Sequence, residues 1–463
     1  MGARRIVSGV RVTLVGSLVA CFPARAKAGG VAPGIVATEP YVFIEGMQAW
    51  RPLFASLALA IGLVTQGPAR AQPADALLGT TVDGLLDAGR RLSPGLRASA
   101  LDTAAASAKA SGADALDDPT ITDNYTYYKD PGVFSAHAVM LTQAFPLWGK
   151  RSLRRQAALS DVDASRGRER AAQDELDEKI KVAYAQYYLT TRDIAVNQEI
   201  AGLARRLRAA ASARYGQGGG DQVAVIQALN EETTAKVEAA RLEGVKGTAR
   251  ARLNTLVGRS ADAPLAEPLR LKPVPPAEPV LALLVDRARA VNPTLSASNA
   301  AIEAARTRST LADKAGYPDV TVGAGPLFQT NNRPVGFSAL VGLNIPLPWG
   351  RTGSGQREAA AQLGATQQRY DAARLEIEGA LGEAVAKLRA ARTTEALLRR
   401  EAVPQARAAV RTVLANYGQG RGDLTVAINA EHQTHEVELR LLQAQLDEQV
   451  ELAAIERLIG GDL

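Results

Sequence analysis

The second half of this chain repeats its first half at an offset of about 200 residues, and this duplication limits the possible folds more than any other feature. Pro94 in the stretch LSPGLRAS corresponds to Pro293 in VNPTLSAS, at an offset of 199 residues. Pro119 in DDPTIT corresponds to Pro318 in GYPDVT at the same offset. Solenoid repeats are roughly 20 to 50 residues long, so a unit of this length that occurs twice indicates a duplicated domain half.

Two further pairs of segments keep the same order in both copies. The stretch FPLWGK at 145–150 corresponds to IPLPWGR at 345–351, with one residue inserted. The stretch ARYGQGGGD at 213–221 corresponds to ANYGQGRGD at 415–423, at an offset of 202 residues. We therefore predict a first copy over residues 72–262, a linker over 263–276 and a second copy over 277–463.

The N-terminal 71 residues have the pattern of an export leader. Residues 47–71 begin with Met47, continue with an uncharged apolar run at 53–64 and end in Ala-Arg-Ala, the small-x-small form of a signal-peptidase site. This pattern predicts a mature chain that starts at Gln72, and it makes residues 1–46 an over-called extension. The alternative is a lipoprotein that is lipidated at Cys21, although such processing would leave the apolar run in the mature chain. Both alternatives predict export.

The charge of the chain is concentrated in this leader. The whole chain has 54 Lys and Arg against 48 Asp and Glu, whereas residues 72–463 have 47 against 46. A near-neutral chain without a basic block does not have the footprint that nucleic-acid binding requires, so we predict no nucleic-acid partner. Cys21 is the only cysteine, which excludes disulfides and zinc-thiolate sites from residues 72–463. With no spaced nucleophile and base, we predict neither an enzyme nor a cofactor.

Each copy also predicts a hairpin of very long helices. Residues 147–263 contain no proline and are rich in strong helix formers, with one break at the glycine-rich stretch 216–220. The first arm, at about 150–215, would be on the order of 100 Å long at 1.5 Å per residue. In the second copy the arms are 355–417 and 423–459. Pro404 and its equivalent, Gly202, predict a kink at the same height in both copies.

Before each hairpin, the spacing of the apolar residues changes from a helical period to the alternation of a β-strand. The clearest run is 335–345, in which Phe337, Ala339, Val341, Leu343 and Ile345 share one face. Similar runs occur at 120–129, 133–144 and 319–328. Strands of about ten residues are long enough to cross a bilayer at a tilt. Four strands cannot close a barrel, and lipid does not tolerate open edges, so we predict that other subunits complete the barrel.

Together these landmarks resemble the outer-membrane factor family, the TolC-like exit ducts of bacterial efflux and type I secretion, over about residues 74–463. The resemblance implies a mainly α fold with transmembrane β-strands. It implies a homotrimer in which long helical hairpins form a periplasmic α-barrel and four strands of each chain contribute to an outer-membrane β-barrel. The implied partners are outer-membrane lipid, a periplasmic adaptor protein and an inner-membrane efflux pump. The junction PLWGKR at 146–151 is also similar to members that are encoded with heavy-metal efflux pumps.

The resemblance places the periplasmic tip and the adaptor-docking site at the two hairpin turns. The residues it assigns there are Tyr215, Gly216, Gln217, Gly218, Asp221, Tyr417, Gly418, Gln419, Gly420, Arg421 and Asp423. Some family members carry a ring of carboxylates just after the second turn, but Val426 and Asn429 occupy the aligned positions here. Asp221 and Asp423 are predicted to be helix N-caps.

Two other interpretations of the sequence remain open. His432 and His435 lie at i and i+3 and could share a metal ion, although two ligands are few and exposed polar residues on a tunnel wall have the same pattern. The alternative function is that of a periplasmic adaptor or another coiled-coil scaffold of the cell envelope. An adaptor resembles one hairpin between two small β domains, whereas this sequence predicts two hairpins and four strands.

Overall fold

The computed structural model describes residues 78–127, 135–329, 334–347 and 350–463. Several features predicted from sequence lie outside these residues. They are the leader with Cys21 and Met47, the turn between the first two strands, and Trp349.

The two copies contain the same elements in the same order, as the duplication predicts. The first copy consists of α1 (Val82–Leu92), α2 (Pro94–Gly112), β1 (Thr120–Thr126), β2 (Ala136–Phe145), α3 (Lys150–Gly216) and α4 (Gln222–Val257). The second consists of α5 (Leu281–Val291), α6 (Pro293–Lys314), β3 (Asp319–Gln329), β4 (Gly336–Asn344), α7 (Arg351–Leu397), α8 (Val403–Gly418) and α9 (Leu424–Leu458). The predicted fold class, long helical hairpins plus four strands, is confirmed.

Proline begins the same helix in each copy. Pro94 and Pro293 are the first residues of α2 and α6. Proline suits this position because its fixed φ is helical and its missing N–H would have no partner there. At α6, the Asn292 side-chain oxygen also accepts hydrogen bonds from the backbone N–H groups of Thr294 (2.9 Å) and Leu295 (3.1 Å). The two prolines that correspond in sequence therefore also occupy equivalent positions in the structure.

At the position of the predicted kink, the helix is interrupted in the second copy only, and the interruption is a π-helical turn. Helix α3 continues through Gly202 for all of its 67 residues. The corresponding arm of the second copy comprises α7 with 47 residues, a π-helical turn (Leu398–Ala402) of 5 and α8 with 16, which is one residue more. A π turn holds one residue more than an α turn. The π turn just before Pro404 therefore accommodates the extra residue of the second copy, and the helix then continues in the same register. This explains why the offset between the copies grows from 201 at the helix starts to 202 at the turns. A single glycine leaves every helical hydrogen bond in place, which is why Gly202 interrupts nothing.

Small clusters replace a single hydrophobic core. One cluster joins α1, α3 and α4 around Ile180 and Tyr184, and another joins α5, α7 and α9 around Leu381 and Leu388. The predicted linker lies along the first cluster, because the Tyr184 hydroxyl oxygen lies 2.9 Å from the carbonyl oxygens of both Thr80 and Arg270 and can donate its proton to either. The helices therefore bury their apolar residues in separate clusters along their length.

The four strands form one antiparallel sheet in the order β1-β2-β3-β4. Pairing of β2 with β3 joins the two copies, with Leu141 opposite Ala324 and Phe145 opposite Val320. Among the described residues, no other strand pairs with the outer edge of β1 or of β4.

The two faces of this sheet differ in polarity. Val341 and Phe337 of β4 are 77% and 75% exposed, and Ile121 of β1 lies on the same face. The opposite face carries mainly small and hydroxyl-bearing residues, which include Thr122, Asn124, Thr142, Thr321, Gly323, Ser338 and Gly342. On β4 the predicted alternation therefore separates an apolar face from a largely polar one. On β1 and β2 the apolar face also carries Asp123, His137 and Gln143.

The corner between β2 and α3 is held by contacts to the second copy. The Lys150 ammonium is buried and donates to both carboxylate oxygens of Asp319 and to the carbonyl of Tyr317, each at 2.8 Å. Trp148, with a φ of +61°, donates from its indole nitrogen to the carbonyl of Pro318 at 2.8 Å. These bonds fix the direction in which α3 leaves the sheet.

Within the described parts of the chain, no helix combines the length and the apolar character needed to cross a membrane.

Candidate functional site

The first hairpin turn is closed by backbone hydrogen bonds and one left-handed glycine. The N–H of Gly218 donates to the carbonyl of Tyr215 at 3.0 Å, and that of Gly219 donates to Arg214 at 3.1 Å. Gly218 has a φ of +72°, a conformation that a residue with a Cβ adopts only at an energetic cost. This left-handed C-cap ends α3 and turns the chain back toward α4.

The second turn has the same geometry. Gly420 has a φ of +77°, and its N–H donates to the carbonyl of Tyr417 at 3.0 Å. A Cβ on Gly422 would approach the Tyr417 nitrogen to 3.2 Å, whereas Gly418 has open space on all sides. Only Gly420 and Gly422 therefore need to be glycine for conformational reasons.

Both aspartates that follow the turns are N-caps, as predicted. Asp221 accepts a hydrogen bond from the N–H of Val223 and Asp423 accepts one from the N–H of Thr425, both at 3.1 Å. The remaining turn residues, Gly216, Gln217, Gln419 and Arg421, have exposed side chains or none. Val426 and Asn429 are exposed on α9, so the aligned positions carry no carboxylate there.

The two turn tyrosines differ in burial. Tyr417 is 4% exposed and packs with Leu207 and Ala228 of the first hairpin, under the Arg214 guanidinium, whose carbon lies 5.1 Å from the ring centroid. Tyr215, its equivalent, is 50% exposed. The sequence pattern did not predict this difference, because it arises from contact between the copies.

About two helical turns above Asp423, a group of acidic residues and histidines lies where α4 meets α9. Glu431 is 3% exposed, and its Oε2 has no hydrogen-bond partner within the described residues. Burial, followed by the nearby negative charge of Glu231, raises the pKa of Glu431 from the ordinary 4.5 to about 7. Glu231 itself lies 2.9 Å from the Nε2 atom of His432. This group connects the two hairpins and was missed by the sequence analysis, which had singled out only its histidines.

The second histidine points elsewhere. His435 Nε2 is buried without a described hydrogen-bond partner, beside a cavity of about 280 Å³ that Leu203 and Val410 also line. Burial raises the pKa of Asp193, while the charge of His435 opposes this shift. Among the described residues, no three His, Cys, Asp or Glu side chains are placed to hold a metal ion together.

The raised pKa of Glu431 predicts a pH-dependent stability. Because the folded-state value lies above the unfolded one, the folded chain binds the proton more tightly, so stability decreases as the pH rises from 4.5 through about 7. Glu431→Gln should remove this part of the decrease, since the amide stays neutral. The measurement is the melting temperature by circular dichroism at about pH 5 and about pH 8.

The matched control is Glu436→Gln, because Glu436 lies on the same helix but is exposed and paired with Arg440. This variant should keep the wild-type pH dependence. An unchanged pH dependence in Glu431→Gln would contradict the assignment.

Comparison with solved structures identifies the same fold in known channels. CusC matches with a TM-score of 0.71 and 16% identity, over 85% of this chain and 96% of that chain. The outer-membrane protein VceC of Vibrio cholerae matches with a TM-score of 0.69 and 18% identity, over 82% and 96%. The open state of the MtrE outer-membrane channel of Neisseria gonorrhoeae matches with a TM-score of 0.67 and 17% identity, over 82% and 89%.

The comparison by sequence adds one positive result and one negative result. No curated protein sequence matches this chain significantly. The family model for the outer membrane efflux protein matches residues 85–259 and 284–461, one segment in each copy. With most of its length matched in this way, the chain belongs to the outer membrane efflux protein family, the TolC-like outer-membrane factors.

Proposed function

We propose that this chain is the outer-membrane exit duct of a tripartite efflux system. In this proposal the duct is a homotrimer that works passively, with a periplasmic adaptor and an inner-membrane pump delivering the substrate. Family membership supports the efflux function, and the structure of the sheet is the observation that carries the rest.

The sheet has the properties of one third of a membrane barrel. Its exposed apolar face suits lipid, and its largely polar face suits a water-filled lumen. Strands β2, β3 and β4 have 10, 11 and 9 residues, the length that crosses a bilayer at a tilt. Because an open edge leaves backbone groups unpaired in lipid, β4 of one chain would pair with β1 of the next.

Aromatic side chains lie near both ends of the strands. Tyr125 and Phe337 lie toward the β1–β2 and β3–β4 turns, and Trp148 with Tyr317 lies at the helical end, where their ring centroids are 5.3 Å apart. Aromatic girdles at both interfaces are a feature of outer-membrane barrels. This arrangement supports an outer-membrane location with the helices in the periplasm, as does the predicted export leader.

The adaptor alternative fits less well. The chain has two long hairpins and a four-stranded sheet in one duplicated unit, and it belongs to the efflux duct family rather than to a family of adaptors. Heavy-metal cations remain a proposal for the cargo, supported only by the junction at 146–151.

A knockout tests the proposed function. Cells that lack this chain but keep the pump should retain pump substrates and become more susceptible to them, and expression from Met47 should restore export. A susceptibility panel of metal salts and organic toxicants would measure this and would identify the cargo class. Unchanged export in the knockout would contradict the proposal.

The polarity of β4 predicts that charge is tolerated on one face only. Val341→Arg places a charge on the proposed lipid face and should destabilise the barrel by about 2 to 4 kcal/mol near the bilayer centre. Leu340→Arg lies at nearly the same depth on the opposite face and should be tolerated. The amount of heat-modifiable trimer in purified outer membranes measures both effects. Equal amounts for the two variants would contradict the assignment of the faces.

The turn geometry predicts which glycines the proposed tip requires. Gly420→Val forces a β-branched residue to a φ of +77°, at a cost of about 1 to 3 kcal/mol, and should misshape the turn and abolish export. Gly418→Ala enters open space in a helical position and should export normally. Both variants should form trimers, because the barrel and the helical arms are unaltered. Normal export and adaptor capture by Gly420→Val would contradict the tip assignment.

A further inference from the structure

Equivalent positions of the two copies differ in burial where the copies meet, as three pairs illustrate. Lys150 is 5% exposed, whereas its equivalent Arg351 is exposed. Ala304 of α6 is fully buried, whereas its equivalent Ala105 of α2 is exposed. Tyr417 and Tyr215 differ in the same way. Lys150 and Tyr417 are covered by residues of the other copy of the same chain.

Helix α2 lacks the neighbour that α6 has. Seven residues of α6 are buried because α6 packs on α7 of its own copy and on α3 of the other. Only Ala110 is buried in α2, which packs mainly on α3. By equivalence with α6, the uncovered face of α2 contains Ala98, Leu101 and Ala105, and Leu101 is 69% exposed.

Helix α7 lacks the neighbour that α3 has. The first 18 residues of α3 include seven buried ones, and one of them, Gly167, packs directly against the backbone of Ala297 in α6. In α7, which the structure describes completely, no residue before Ile377 is buried. The uncovered face of α7 is therefore the equivalent of the α3 face that packs on α6.

Residues of opposite charge lie beside the uncovered faces of α2 and α7. We use the name "strap" for residues 116–119, which connect α2 to β1 and are equivalent to the segment that receives Lys150 in the second copy. The strap carries two exposed carboxylates, Asp117 and Asp118, where the second copy has Gly316 and Tyr317. Arg351 has no acidic partner within salt-bridge distance among the described residues.

We propose that α7 of one subunit packs on α2 of a second copy of this chain, and that Arg351 binds the carboxylates of the partner's strap. This contact between subunits would be equivalent to the junction that Lys150 forms within one chain. It rests on the proposed trimer and adds the residues that join its subunits.

The repeated junction assigns a role to each group. The Arg351 guanidinium would donate to the carbonyl of the partner's Asp118, as Lys150 donates to the carbonyl of Tyr317. The second acceptor of Lys150 is the Asp319 carboxylate, whose equivalent is Thr120. Because threonine cannot neutralise a cation, the neighbouring carboxylates of the strap would take that role.

Chemical cross-linking tests the contact. The chain has a single cysteine, in the leader, so introduced cysteines are the only thiols of a mature chain that begins at Gln72. Asp118→Cys combined with Arg351→Cys should be linked by a short homobifunctional maleimide into products of two and three chains on a denaturing gel. A maleimide is preferable to a disulfide, because the equivalent lysine spans its contact with a long side chain and a disulfide requires Cα atoms within roughly 7 Å.

Two controls make the result specific. Lys150→Cys with Tyr317→Cys occupies the equivalent positions within one chain and should remain at single-chain mass. Neither Asp118→Cys nor Arg351→Cys alone should give the three-chain product. Single-chain species alone from the double variant, in an assembly that still has three subunits, would overturn this contact but not the proposed duct. An untreated wild-type assembly without three subunits would instead contradict the proposed function.

Charge reversal is a second test that needs no cross-linker. Arg351→Glu should lower the temperature at which the trimer separates, because it opposes two carboxylates. Adding Asp117→Arg and Asp118→Arg should restore that temperature. A triple variant no more stable than Arg351→Glu would overturn the proposed ion pairs.

Discussion

The helices and strands of this chain share no single hydrophobic core among the described residues, so each depends on the elements packed beside it. Helices with narrow stripes of small residues cannot enclose a core by themselves. Within the chain, β2 pairs with β3 and α3 packs on α6, so the first copy covers one side of the second. Four surfaces remain uncovered among the described residues: the outer edges of β1 and β4 and the outer faces of α2 and α7. In the proposed trimer, neighbouring subunits cover them.

The corner at Lys150 connects the sheet to the long helices. Its ammonium is bonded to Asp319 and Tyr317 at the point where the sheet ends and the long helix begins. A buried cation of this kind is tolerated only when its hydrogen bonds are satisfied, so it fixes the relative position of strand and helix. Because α3 leaves the sheet in a fixed direction, these bonds hold the sheet and the first hairpin in a fixed relative orientation.

Much of this fold could be predicted from the sequence because its signals are local. Glycine at the hairpin turns acts through its own backbone, and the aspartate after each turn acts through a side-chain bond to an N–H two residues on. Both features were predicted and are confirmed. The alternation in β4 likewise indicated its two faces. The hairpin arms were predicted to within about five residues because nothing in their composition interrupts them.

What the sequence did not reveal depends on contacts between distant residues. The burial of Tyr417, the exposure of Tyr215 and the raised pKa of Glu431 all arise where one hairpin meets the other. Gly202 looked equivalent to Pro404, yet only the second copy has a π turn, because only that copy carries the extra residue.

The central claim is that three chains together cover the open edges of the sheet and the uncovered faces of α2 and α7. Native mass spectrometry of the protein extracted from outer membranes measures the number of subunits directly. The account predicts one species of three chains, each beginning at Gln72. A monomer or an open series of larger species would contradict it by leaving faces and edges uncovered, and a dimer would contradict the predicted number of subunits.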